Sequence, residues 1–107
     1  MKTVYIPNLK EGYDISDVTR FGSPAALTEG RVDISVIQSL AAKIVKKLKT
    51  AKEDDYLIMG GAPLVNAIAF FYLMNIHGRV NLLIFDARTR KYMARTISEI
   101  EVMCGEM

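Results

Sequence analysis

The chain has 107 residues, half of them hydrophobic and about a quarter charged, with a formal net charge of +2 and one cysteine, Cys104. That length suits one domain with a core of its own, and the lone cysteine excludes an internal disulfide. A pI near 8.7 argues against a dedicated nucleic-acid binder, whose domain pI lies above ~9 with a clustered basic face. The start, MKTVYIPNLKEG, is too polar for a secretory signal, so the expectation is a cytoplasmic protein.

Thr3 to Ile6 is β-branched and aromatic, and Pro7 and Asn8 close it, so it reads as the first strand. Lys10-Glu11-Gly12 reads as a turn. Asp14 to Gly22 suits a single helical turn, with Asp14 as cap, Ile15 and Val18 on one side and Gly22 as the stop. Ser23-Pro24 resets the chain to extended, Ala25 to Thr28 reads as a short strand, and Glu29-Gly30 as a turn. Ser35 to Lys49 is an amphipathic helix whose stripe is Ile37, Leu40, Ala41, Ile44 and Leu48. Two start signals compete there: Ser35 and Gln38 have capping-box spacing, while Asp33 offers a cap with Val32 and Ile37 as a staple. The row Lys43, Lys46, Lys47 and Lys49 reads as a solvated face that complements the helix dipole.

Tyr56 to Ile76 carries no charged side chain. A membrane span needs about 20 such residues. Gly60, Gly61 and Pro63 interrupt it, however, and Asn66 and Asn75 would lack partners in lipid. The stretch therefore reads as a strand over Tyr56–Met59, a glycine turn, and a helix over Leu64–His77 with Pro63 at its first position and Gly78 just beyond its end. The strand lacks polar alternation, as a parallel strand covered on both faces does. Val80 to Phe85, ending at Asp86, completes a βαβ unit. Ala87 to Arg90 turns the chain, and Lys91 to Ile97 returns as a charged edge strand. From Ser98 to the end, Ile100, Met103, Cys104 and Met107 have helical spacing, with Ser98 and Glu101 as a capping box, so the tail is a short helix or a frayed end. The whole reads as one α/β domain over 1–107: a small, three-layer, Rossmann-like fold whose mostly parallel sheet ends in an antiparallel edge hairpin.

The glycine turn is where chemistry is expected. A strand that turns through glycines into a helix presents backbone N–H groups at the positive end of the helix dipole, and phosphates bind such ends. If the strand at 3–6 lies between those at 56–59 and 80–85, the two long helices fall on opposite faces. The switch point then gathers Asn8, Asp86 and Arg88 beside Gly60 and Gly61. Neither nucleotide-binding fingerprint is present, and glycines that merely permit positive φ explain the turn equally well. Arg88, Arg90, Lys91 and Arg95 around the hairpin suit either a phosphate grip or a solvated edge. His77 is the only histidine, with no partner spaced for a metal, and it suits a helix end. No cofactor is implied. No acid/base pair has a recognisable spacing, although Asp86 at a strand's carboxyl end is where one would be sought.

A helix apolar all round needs cover on both sides. Phe70, Phe71, Tyr72 and Met74 are residue types that interface cores favour, so the helix at 64–77 predicts a homodimer. The string DISDVTRFG…LTEGRVDI…DYLIMGGAP…GRVNLLIFDARTRKY resembles small single-domain Rossmann-like proteins of phages and mobile elements. The resemblance implies a compact Rossmann-like domain and transfers no functional residue. Dimeric sensor domains that bind nucleotide signals are an analogy at fold level alone. Two functions follow as expectations. One is binding of a phosphate-bearing small molecule or nucleotide at Gly60-Gly61, and the other is a non-enzymatic homodimeric interaction module with no ligand.

Overall fold

In a computed structural model, which describes residues 1–10 and 14–105, five strands form one sheet. They are β1 (Thr3–Ile6), β2 (Ser23–Ala26), β3 (Tyr56–Met59), β4 (Arg79–Asp86) and β5 (Lys91–Ser98). The helices are α1 (Ile37–Leu48), α2 (Pro63–His77) and α3 (Glu99–Met103). The strand order is β2-β1-β3-β4-β5. β2, β1, β3 and β4 are parallel to one another, and β5 returns antiparallel along β4 from Asp86↔Lys91 to Arg79↔Ser98. The class is the expected one, an α/β domain with an antiparallel edge hairpin.

The strand order corrects one expectation. β3, not β1, lies between the other two core strands. The crossovers carrying α1 and α2 therefore run the same way along the sheet, and right-handed crossovers running the same way put their helices on the same face. Leu40, Ile44 and Leu48 of α1 accordingly share one core with Val65, Ala69 and Leu73 of α2 and with Tyr5, Leu57, Val80 and Leu82 of the sheet. The β1–β2 connection runs the other way and covers the other face. There Val18, in the 3-10 turn Val18–Arg20, packs with Ile15 and Phe21 on Val4, Ile6, Ile58 and Leu83. The strands thus alternate between two cores, with Tyr5 against Val4 and Ile6, and Leu57 against Ile58. A parallel order 2-1-3-4 is the flavodoxin-like one, and its switch point lies between the carboxyl ends of β1 and β3.

Element limits follow local chemistry. α2 starts on Pro63 and stops at Gly78, whose amide donates to the Met74 carbonyl at 2.8 Å. α1 begins at Ile37, the first stripe residue, two residues after the expected start at Ser35. Asp33 Oδ1 accepts from the Ser35 amide and hydroxyl (3.0 and 2.6 Å), which ties up both residues that were expected to cap the helix. The N-cap is Val36, which has no capping side chain. Before α3, Ser98 Oγ accepts from the Glu101 amide at 3.1 Å, the capping contact its sequence predicts. β2 begins at Ser23, whose amide donates to the Lys2 carbonyl at 2.9 Å. Pro24 is tolerated there because β2 is an edge strand. Glu11 and Gly12 of the expected turn, and Met107 of the tail, lie outside the described residues. Among the described residues, no helix is long and apolar enough to cross a membrane.

The β5 edge is closed at one point by side chains from the 14–22 segment. Asp17 Oδ2 accepts from the Tyr92 amide at 2.7 Å, and Arg20 Nη2 donates to the Tyr92 carbonyl at 2.6 Å. Asp17 Oδ1 also accepts from Arg20 Nε at 2.8 Å. The pair supplies one acceptor and one donor, as a neighbouring strand would, and so blocks strand addition at that position. The hydrogen bond from Arg20, and then the Tyr92 amide, hold the Asp17 carboxyl below its ordinary value.

Candidate functional site

The turn between β3 and α2 is built by one buried side chain. Asn66, in the first turn of α2, donates from Nδ2 to the Ile58 carbonyl and accepts at Oδ1 from the Gly60 amide, both at 2.8 Å. Gly60 and Gly61 have φ values of +133° and +84°, a region that side chains rarely enter. The glycines are thus required by the backbone path. The Gly60 N–H, expected to face a ligand, is instead held by Asn66. Ala62, the N-cap of α2, supplies no capping side chain.

The expected ligand residues separate into two groups. Asn8 and Gly61 line one cavity of about 370 Å³ with Val32, Ile34 and Leu64. Gly60 and Gly61 line a neighbouring hollow of about 520 Å³ with Met59, Phe70 and Ile97. Among the described residues, no cationic side chain lines either hollow. The Asn8 amide is already engaged: Nδ2 donates to the Gly30 carbonyl at 2.9 Å, and Oδ1 lies 2.9 Å from the Thr28 hydroxyl. Asp86 and Arg88 do not join these residues. They form the β4–β5 turn, where Asp86 Oδ1 accepts from the Arg88 amide at 3.0 Å and faces its guanidinium at 3.7 Å. The reason is the strand order. With β3 beside β1, the end of β4 lies one strand away from the switch point. Among the described residues, no group of His, Cys, Asp or Glu side chains is placed to hold a metal ion.

The outer face of α1 and α2 is the other notable surface. Of the four α2 side chains singled out as interface types, Phe70, Tyr72 and Met74 lean on the core. Phe71 instead stands 71% exposed. It borders an apolar groove between the helices that Ala41 and Val45 of α1 line with Ala67, Ile68 and Tyr72 of α2. Ile37, one turn before Ala41, is 51% exposed and extends the same stripe. Sequence reasoning found Phe71 but not its α1 partners. Ala41 looked like part of the core stripe, and Val45 carried no signal of its own.

The fold defines a small α/β domain. Residues 2–99 match the family described as "Phage Pam3 gp32-like protein", and the chain belongs to that family. No curated protein and no solved structure matches it.

Proposed function

We propose that the chain is a non-enzymatic association module that forms a homodimer through the outer face of α1 and α2. The observation that carries this is Phe71, a large exposed ring beside a groove floored by the small residues Ala41 and Ala67. A twofold interface presents the same patch from both sides. A patch holding both a knob and a hole is self-complementary, because each Phe71 enters the other copy's groove. α2 adds no like-charge repulsion, having no charged side chain from Pro63 to Ile76.

The footprint sets the strength. α2 has 15 residues and is roughly 22 Å long. Two helices side by side then offer about 450 Å² per copy, against about 800 Å² per partner in a standard interface. A micromolar, concentration-dependent dimer follows. Sedimentation velocity over roughly 1–200 μM tests it. The expected result is a shift from monomer to dimer that Phe71→Glu abolishes without loss of fold. A wild-type chain at the monomer mass throughout would sink the reading.

Ligand binding at the Gly60-Gly61 turn is the second reading. Its support is the cavity shared by Asn8 and Gly61 at the start of α2, beside the switch point. Amide shifts at Gly61 and Val65 on adding nucleotides, with the dimer equilibrium unchanged, would favour it over the first.

A further inference from the structure

A larger hollow adjoins the Asn8–Gly61 cavity, and Val32 lines both. It is a cleft of about 860 Å³ between the segment that follows β2 and the side of α1 that faces away from α2. Its lining includes Arg31 from that segment and Lys43, Lys46 and Lys47 from α1, with Glu29 and Asp33 as the only carboxylates among the described residues. The formal balance is +4 − 2 = +2, equal to the net charge of the whole chain.

Two features mark this group. First, four cations share one cleft with two carboxylates, of which Asp33 is held below its ordinary value by its Ser35 hydrogen bonds and then by Lys43. Arg20, Arg79, Arg88 and Arg90 each stand within 3.7 Å of a carboxylate, whereas among the described residues no ion pair involves Arg31, Lys43, Lys46 or Lys47. Lys47 does donate to the Ala26 carbonyl at 3.2 Å, which fixes its ammonium at the cleft wall. Asp33 is oriented inward on Ser35. Second, Lys43 with Lys46 and Lys47 has i, i+3 and i, i+4 spacing, where like charges repel one another. Complementing the carbonyl end of α1 accounts for Lys46 and Lys47, in the last turn. It does not account for Lys43 in mid-helix or for Arg31 across the cleft.

We propose that this cleft binds the di- or triphosphate group of a small molecule, held on the Lys43–Lys46–Lys47 wall with Arg31 opposite. The length of the wall selects the ligand class. From Lys43 to Lys47 the helix rises about 6 Å, enough for two or three linked phosphates. A nucleic acid needs a longer cationic track. Arg31 adds a planar donor suited to phosphate oxygens, and the lysines act as point charges.

Titration calorimetry with inorganic tripolyphosphate, and with a nucleoside triphosphate, tests this at about 0.1 M salt. The expected result is saturable one-to-one binding of both, weakened at least about tenfold in Lys43→Gln/Lys46→Gln. Gln matches Lys in helix propensity, so this variant keeps its fold. A control that removes equal charge outside the cleft, Lys52→Gln/Lys91→Gln, should bind as wild type does. Absence of tripolyphosphate binding would overturn the proposal, as would equal weakening in the control. Tighter, length-dependent binding of a single-stranded oligonucleotide would overturn it in favour of a polymer. None of these outcomes depends on the dimer.

Discussion

Asn66 holds the turn between β3 and α2, and its removal gives a prediction of definite size. The residue is 5% exposed and Ile58, whose carbonyl it holds, is 1% exposed. In Asn66→Ala that carbonyl loses its donor where water does not reach, at about 1–3 kcal/mol for an orphaned buried acceptor. The Gly60 amide also loses its acceptor, but Gly60 is exposed and water replaces the bond, at about 1 kcal/mol. The sum is roughly 3 kcal/mol, or a melting temperature lower by roughly 10–20 °C for a domain of this size. Urea unfolding followed by circular dichroism measures it, and an unchanged m-value shows that the unfolded state is not the cause. A loss below about 1 kcal/mol would refute the role given to Asn66.

Asn66→Asp sharpens the test. An ionised carboxylate still accepts from Gly60 but faces the Ile58 carbonyl without a proton to donate. A protonated one donates again. The folded-state pKa is therefore raised above the unfolded value of ~3.9. Stability from this group is fully present below ~3.9 and is lost as pH rises through the raised folded value. The variant should thus approach wild type as pH falls and diverge from it towards neutrality. A gap that does not depend on pH would contradict the proton-donor geometry.

The remaining predictions concern the sheet. A Cβ on Gly22 would lie 2.3 Å from the Lys2 carbonyl oxygen, a backbone atom, so Gly22→Ala must spread β1 from β2 and should lose about 1–3 kcal/mol by the same unfolding assay. Asp17→Ala should free the Tyr92 edge, seen as faster hydrogen exchange of the Tyr92 amide and readier self-association of the denaturing chain. Because the Asp17 carboxyl is held below its ordinary 3.8 by Arg20 and then by Tyr92, its contribution is present above 3.8 and is lost as pH falls through the lower folded value. Acid unfolding curves of wild type and Asp17→Ala should therefore converge below that window. Curves that stay parallel would remove Asp17 from the account.

The elements were legible because punctuation surrounds them. Pro7 ends β1, Pro63 opens α2 and Gly78 closes it, and each acts through its own backbone geometry. The strand order was not legible, because it depends on which way each crossover runs, and no residue between Leu27 and Asp55 states a direction. That error alone carried Asp86 and Arg88 to the wrong place. The Asp17–Arg20–Tyr92 clamp and the Asn66 turn differ in the same respect. The clamp joins residues more than 70 apart in sequence, which no local pattern reveals. Asn66 read only as an argument against a membrane span, although an Asn in the first turn after Gly-Gly is well spaced to reach back to a strand end. The lysine row was legible as charge. The cleft it faces is made by the 27–36 segment, whose path only the fold supplies.

The central claim is that two copies meet with Phe71 of each in the groove of the other. Isotope-filtered nuclear Overhauser spectroscopy on a mixture of labelled and unlabelled chains tests it directly. The account predicts intermolecular contacts from the Phe71 ring to the methyl groups of Ala41, Val45 and Ala67. Intermolecular contacts at another surface, or none at a concentration where the mass doubles from 12.0 kDa, would contradict it.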